Sequence, residues 1–320
     1  MTERTARNAR AEAEAVAGTA ARVLEPSPPT VASEPWFADD PTALDGEDAV
    51  TPTSAGSRTW DELAGSDPAI AAYARDHWLG NHKALPPVPA GYVSSRDDFH
   101  RVAYGVISNA RKAANGKFGL RYTHGGFGTP FFGDDVQVRV EGTELIVQRG
   151  ESVVAETLTT LARAAEVAGT VANADQAEHD TIELGDLDRA LDIREDVGAF
   201  LGDWFGFGTS VLEEARLLAT APDDDLSRVQ MWPGHFDPAF EMGSLEAGRR
   251  ATYGASPGDA SHDEPYLYVA SWGDIDRADE FWNDDGFNGG SLSYAELLAA
   301  DDPRAAALAF FRRGYEILHG

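Results

Sequence analysis

The residues best suited to chemistry lie close together in the last third of the chain. The segment Trp232-Pro-Gly-His-Phe-Asp237 places His235 two residues before Asp237 and directly after a Pro–Gly turn. Side chains two residues apart on an extended chain point the same way. A carboxylate beside an imidazole raises its basicity or shares a metal with it. His235 and Asp237 are therefore our candidate catalytic residues.

A second polar group follows some twenty residues later along the chain. The segment Ser256-Pro-Gly-Asp259 fits a type II turn, with proline second and glycine third, and His262 follows directly. Tyr266 and Tyr268 then share one side of a predicted strand that begins at Pro265. If this strand pairs with a strand at 249–253 or 228–232, the second group approaches the first.

A site assembled in this way has more than one possible chemistry. As a small-molecule pocket it would be lined by Trp232, His235, Asp237, Asp259, His262, Tyr266 and Tyr268. Two imidazoles and two carboxylates also suit zinc or another divalent transition metal, with His235, Asp237, Asp259 and His262 as candidate ligands, and they suit a metal-free acid–base pair equally. In a purely structural alternative, His235 bonds to the backbone in the core, Asp259 caps its own turn and His262 is solvated.

Composition excludes several classes of function. The chain has 320 residues, of which 54 are acidic and 26 basic, and its formal net charge is -28. Such a surface repels phosphate backbones and anionic lipid, so we expect neither nucleic-acid nor membrane partners. The absence of cysteine excludes disulfides, thiol nucleophiles and thiolate zinc sites. No secretory signal and no run of ~20 apolar residues is found, which indicates a cytoplasmic protein.

The elements that must position these residues are predicted as an α+β fold. Residues 1–57, rich first in alanine and then in proline, serine, threonine and aspartate, are expected to form a flexible acidic tail with a possible short helix. Residues 58–320 are expected to form a single α+β domain. In it, antiparallel strands near 118–157 and 228–271 would pack against helices.

Capping patterns predict where the helices begin and end. Ser95 with Asp98 would start a helix that ends at Asn115-Gly116. Asp186 and Ser210 would each start a further helix, with the aromatic segment 204–208 at their junction. Two C-terminal helices would start at Ser293, with Glu296 completing a capping box, and at Asp302-Pro303.

Several motifs are similar to those of a known group of sequences. WPGHFDPAF (232–240), YGASPGD (253–259) and EPYLYV (264–269) resemble an uncharacterised, mainly actinobacterial protein family, a domain of unknown function. The resemblance extends through NGKFGLRY (115–122), GGFGTPFFGDD (125–135) and ELIVQRG (144–150), and so covers residues 60–320. The family has no known activity to transfer, and no catalytic residue is carried over.

Three functional hypotheses follow from the residues. The leading one is small-molecule binding in a pocket formed by the WPGHFD and SPGD segments. The second is hydrolysis or lyase chemistry, with His235 as base and Asp237 orienting it or sharing a metal with it. The third is a protein-interaction module that uses the tail and exposed aromatic residues. Neither a cofactor nor an oligomeric state follows from these residues.

Overall fold

The computed structural model describes residues 85–123, 125–133, 136–149, 152–174 and 181–320. Over these ranges the chain combines helices with two antiparallel sheets, which confirms the predicted α+β fold class. The predicted flexible tail and the predicted domain start at residue 58 lie outside the described residues.

The first sheet is an antiparallel meander whose strands follow one another in chain order. Its strands are β1 (Arg121–Thr123), β2 (Gly126–Gly128), β3 (Val136–Glu141), β4 (Glu144–Arg149) and β5 (Ser152–Thr157). Alternating apolar residues such as Val138 and Val140 are buried on one side of β3 and β4. The predicted antiparallel strands near 118–157 are thus confirmed.

The second sheet repeats this arrangement in the C-terminal part of the chain. Its strands are β6 (Gln230–Trp232), β7 (Asp237–Met242), β8 (Ala251–Ser256), β9 (Tyr266–Ser271) and β10 (Gly289–Ser293). The two sheets meet where Leu120, just before β1, pairs with Met231 in β6. These two residues exchange backbone hydrogen bonds of 2.8 Å in both directions. The first sheet therefore supports the end of the second at which the WPGHFD turn begins.

Six α-helices and a π-helical turn accompany the sheets in the described ranges. The helices are α1 (Tyr92–Val102), α2 (Ser108–Asn115), α3 (Leu161–Ala168), α4 (Glu195–Ala215), α5 (Tyr294–Ala299) and α6 (Pro303–His319), and the π-helical turn is Ala103–Ile107. None of these helices is long and apolar enough to cross a bilayer. The capping box of Ser293 with Glu296 and the N-cap at Asp302 are confirmed, as is the left-handed C-cap at Gly116.

The predicted cap at Ser95 is wrong, because α1 begins at Tyr92. The Ser95 hydroxyl instead accepts a hydrogen bond from the backbone N–H of Arg194, at 3.2 Å. Asp98 binds the guanidinium groups of Arg189 and Arg101 and the backbone N–H of Asp192. Burial raises the pKa of Asp98, but these hydrogen bonds outweigh it and the net shift is downward. Both residues thus join α1 to the segment before α4.

The prediction of two helices capped by Asp186 and Ser210 is also wrong, since α4 runs unbroken through both the aromatic segment and Ser210. Glycine inside a helix normally costs about 1 kcal/mol. Here it permits close contact with the first sheet. A Cβ atom at Gly198 would lie 2.4 Å from the carbonyl oxygen of Gly142, and one at Gly202 would lie 2.7 Å from the carbonyl carbon of Gly125.

The same helix covers one face of the second sheet. At Gly208 an added Cβ would lie 2.6 Å from the Cβ of Ala255 in β8, so Ala255 faces α4. Tyr253 shares that face and packs against Phe311 of α6, with ring centroids 6.0 Å apart. Because strand side chains alternate, Thr252 and Ser256 point to the opposite, outer face. The helix thereby determines which side of the sheet is left for a site.

Replacing Gly198 by alanine tests this packing. Helix propensity alone predicts a gain of about 1 kcal/mol. The contact with Gly142 predicts overpacking that costs about 1–3 kcal/mol, so we expect a net loss of stability in urea denaturation. The exposed neighbour provides the control, because Ala199→Gly reports propensity alone and should lose about 1 kcal/mol. A Gly198→Ala protein more stable than wild type would contradict the close contact.

Candidate functional site

A cavity of ≈ 670 Å³ lies on the outer face of the second sheet. Strands β7, β8 and β9 form its floor, and α1, the β6–β7 turn and the loops 258–262 and 286–287 form its walls. All seven residues predicted to bind a ligand line it, namely Trp232, His235, Asp237, Asp259, His262, Tyr266 and Tyr268. That they bind a ligand stays a prediction.

The β6–β7 turn is held by a strained aromatic residue. Phe236 donates its backbone N–H to the carbonyl of Trp232 at 2.7 Å, and its φ of 58° is the one positive value outside glycine in the described ranges. Its buried ring packs edge-on against Phe127 at 4.8 Å and Phe205 at 5.1 Å. These contacts stabilise a backbone conformation that is costly for a bulky side chain.

The left-handed residue also places the two candidate catalytic residues on different backbone segments. His235 is exposed within the turn, whereas Asp237 is the first residue of β7 and is only 2% exposed. The expectation that they share one extended segment is therefore wrong, because the turn includes Phe236 and the strand starts one residue later. Both side chains still reach the cavity.

The Asp237 carboxylate accepts a hydrogen bond from the Tyr268 hydroxyl, which comes from two strands away. The ring crosses β8 above Gly254, where a Cβ atom would lie 2.3 Å from the ring carbon Cζ. Burial raises the pKa of Tyr268 well above its ordinary value, and the charge of Asp237 adds to the effect. The phenol therefore keeps its proton and donates a hydrogen bond to the carboxylate.

Asp259 organises the loop that follows β8. Its Oδ1 accepts hydrogen bonds from the backbone N–H groups of Ser261 at 2.7 Å and His262 at 3.0 Å, so it caps its own turn as the structural alternative expected. Its Oδ2 accepts from the Tyr266 hydroxyl at 2.6 Å. Burial raises the pKa of Asp259, but the hydrogen bonds from Tyr266, Ser261 and His262 lower it by more, which favours the ionised form.

His262 is held between two carboxylates rather than solvated. Its Nδ1 lies 3.2 Å from Asp259 Oδ1, and its Nε2 lies 3.2 Å from Oδ2 of the buried Asp284. Asp284 was not predicted, because the local pattern Asp284-Asp285-Gly286 is typical of a solvated turn. The loop between β9 and β10 brings it to His262.

Arg96, Asp97 and His100 of α1 complete the wall, and none of them was among the predicted site residues. His100 donates from Nε2 to the Pro233 carbonyl at 2.7 Å, and burial lowers the pKa of His100 to about 4, so its ring is neutral near pH 7. Arg96 donates to Asp97 and to the carbonyls of residues 262 and 263. It fastens the 258–262 loop to α1. The contacts of His100 with Pro233 and of Arg96 with residues 262 and 263 join residues far apart in the chain, so no local spacing predicts them.

The candidate metal ligands do not form a metal site. In the part of the chain that the structure describes, no group of three or more histidine, aspartate and glutamate side chains is arranged to hold a metal ion. The set His235, Asp237, Asp259 and His262 is therefore divided. The physical reason is that Asp237 is directed to Tyr268, while Asp259 is directed to Tyr266 and to its own turn.

Comparison of the chain with protein-family models, curated proteins and solved structures finds no match. The family resemblance carried by the WPGHFD, SPGD and EPYLYV motifs therefore stays a prediction. Any function has to be argued from the geometry of this cavity and from the chemistry of the side chains that line it.

Replacing Gly254 by alanine tests the path of the Tyr268 ring. The new Cβ collides with the ring, so we expect a loss of about 1–3 kcal/mol in the free energy of unfolding, measured by urea denaturation. Tyr268→Phe is the control for loss of the hydroxyl alone. In the Tyr268→Ala background the alanine at 254 should no longer be harmful, because the ring is gone. An equal cost in both backgrounds would contradict the contact.

Lowering the pH should destabilise the fold through His100. A histidine in the unfolded chain titrates near pH 6.5, whereas His100 in the folded protein titrates at about 4. Between these two pH values the unfolded chain therefore binds a proton that the folded protein does not bind. Stability contributed by His100 is complete above the unfolded pKa and is lost as pH falls towards 4, by up to about 3 kcal/mol. His100→Gln keeps a donor for the Pro233 carbonyl but does not titrate. Urea denaturation from pH 7 to 4 should show a smaller loss in this variant, and equal losses would contradict the assignment.

Proposed function

We propose that this protein binds a small organic molecule in the cavity on the outer face of the second sheet. The observation that carries the proposal is that side chains from four separate parts of the chain converge on this cavity. Side chains from α1, the β6–β7 turn, the β8–β9 loop and the 286–287 loop, separated by up to 190 residues in the chain, line one space. Its volume of ≈ 670 Å³ falls within the range of about 300–1,000 Å³ typical of small-molecule sites.

The wall combines aromatic surfaces with a few fixed polar groups, which is the usual composition of such sites. Phe287 stacks on Tyr266 with centroids 6.3 Å apart and meets Tyr268 edge-on at 5.8 Å. Trp232 lies on the wall formed by the β6–β7 turn. The strained Phe236 in that turn adds support, because costly backbone conformations cluster at functional sites.

The geometry favours binding over the two other hypotheses from the sequence. In the hydrolase hypothesis His235 and Asp237 share one extended segment, whereas the turn at Phe236 ends before the strand that begins at Asp237. An interaction module needs a continuous apolar surface. The large apolar side chains exposed in the described ranges include Val154 on β5, Leu217 after α4 and Leu298 on α5, and so they are distributed over separate elements.

Filling the cavity tests the proposal. Ala270 lines it from β9, so Ala270→Trp should occupy the space without removing a polar group. Val154→Trp places the same ring on an exposed strand of the first sheet and is the matched control. Thermal melts of the three proteins are recorded with a library of polar small molecules that spans cations, neutral polyols and anions.

A ligand present at 100 times its Kd stabilises the folded state by about 2.7 kcal/mol, which raises Tm by about 5 °C or more in a domain of this size. We expect at least one library member to raise Tm in wild type and in Val154→Trp but not in Ala270→Trp. A compound that stabilises all three proteins equally binds elsewhere. If every stabilising compound behaves in that way, or if none stabilises wild type, the proposal is wrong.

A further inference from the structure

We infer that the ligand of this cavity is an organic cation with an ammonium or guanidinium group. The inference rests on the proposed function and specifies its ligand class. It follows from the direction of the hydrogen bonds on the wall. The polar hydrogens of Tyr266, Tyr268 and Arg96 and the ring nitrogens of His262 are directed into the protein, whereas the carboxylates on the wall are hydrogen-bond acceptors.

The tyrosine hydroxyl hydrogens are already engaged. Tyr266 donates to Asp259 at 2.6 Å, and Tyr268 donates to Asp237. A hydroxyl has one hydrogen and two lone pairs, so each phenol can offer a ligand only its oxygen as an acceptor. The Ser256 hydroxyl is hydrogen-bonded to Tyr266 as well, and its oxygen accepts from the backbone N–H of Gly258.

The basic groups on the wall are likewise directed into the protein. Arg96 uses Nε and Nη2 on Asp97 and Nη1 on the carbonyls of residues 262 and 263. His262 directs both ring nitrogens at the carboxylates of Asp259 and Asp284. His100 donates from Nε2 to the Pro233 carbonyl, and its ring is neutral. An anionic ligand would have to displace these contacts to pair with Arg96, His100 or His262.

Carboxylates make up most of the charge on the wall. Asp97, Asp237, Glu241 and Asp259 line the cavity, against the single arginine Arg96 among its described lining residues. An ionised carboxylate only accepts hydrogen bonds and has about four lone-pair sites. Asp97 accepts from Arg96 through Oδ1, and Glu241 accepts from Arg250 through Oε2, so each carboxylate has a second oxygen that can accept from a ligand. Such a wall is complementary to a ligand that donates several hydrogen bonds.

Two further observations select a cation over a neutral polyol. The rings of Trp232, Tyr266, Tyr268 and Phe287 line the same cavity, and the faces of aromatic rings attract cations. The net charge of -28 raises the local concentration of cations and repels anions. A polyol carries an acceptor oxygen with every hydrogen that it donates, and the carboxylates on the wall cannot donate to those oxygens.

The full-length protein is titrated by calorimetry with four probes. Agmatine carries an ammonium and a guanidinium group, choline a quaternary ammonium, glucose only hydroxyls, and citrate only negative charge. Asp259→Asn keeps the shape and an oxygen acceptor for the turn but removes the charge. Asp274→Asn removes an exposed carboxylate that does not line the cavity and is the matched control. Phe287→Leu removes a ring at similar volume, and thermal melts check that each variant folds.

We expect agmatine to bind with a Kd of about 1 mM or tighter and glucose and citrate at least tenfold more weakly. Asp259→Asn should weaken agmatine binding about tenfold, and Phe287→Leu severalfold, while Asp274→Asn should change it less than twofold. Added salt should weaken binding in wild type. Choline binding as tight as that of agmatine would mean that cation–π contact dominates over hydrogen bonding, and it still supports a cation site.

Other outcomes overturn the inference. Agmatine binding that is equally sensitive to Asp274→Asn and Asp259→Asn would be attraction to the acidic surface in general. Glucose or citrate binding that Ala270→Trp abolishes, without cation binding, overturns the ligand class but leaves small-molecule binding in the cavity intact. If none of the four probes binds and no library compound depends on the cavity, the ligand class and the proposed function fail together.

Discussion

The close packing of α4 against both sheets is the constraint on which the site depends. Gly198 and Gly208 allow the helix to approach Gly142 on one sheet and Ala255 on the other at distances that a side chain would prevent. Once that face of the second sheet is covered, the alternation of side chains along each strand directs the remaining strand residues to the outer face. Ser256 and Tyr268 must point outward, where they meet α1 and the loops instead of the core.

Packing in the same core stabilises the conformation of the WPGHFD turn. Phe236 inserts its ring between Phe127 of the first sheet and Phe205 of α4, while His100 of α1 stacks on it with centroids 5.2 Å apart. A left-handed phenylalanine is costly, and contacts from three elements offset that cost. The turn that presents His235 and Trp232 is thus positioned by residues that do not themselves reach the cavity, His100 excepted.

The parts of the site that can be predicted from sequence are those that local spacing controls. Tyr266 and Tyr268 share a strand face, and Asp259 follows a Pro–Gly turn, so their common side follows from period two and turn chemistry. Contacts of Arg96 and Asp284 with the 258–262 loop join residues far apart in the chain, and no local pattern encodes them. The unbroken helix α4 escaped prediction for the same reason, since glycine lowers helix propensity and only tertiary contact explains its use.

The phenol–carboxylate pairs connect this architecture to the character of the cavity. A buried carboxylate such as that of Asp237 needs a hydrogen-bond donor, and a neutral donor supplies the hydrogen bond without adding a positive charge to the cavity wall. Tyr268 is such a donor, and it reaches Asp237 only because Gly254 has no side chain. A glycine in the middle of a strand, unfavourable for the strand itself, therefore keeps an acceptor on the wall of the cavity.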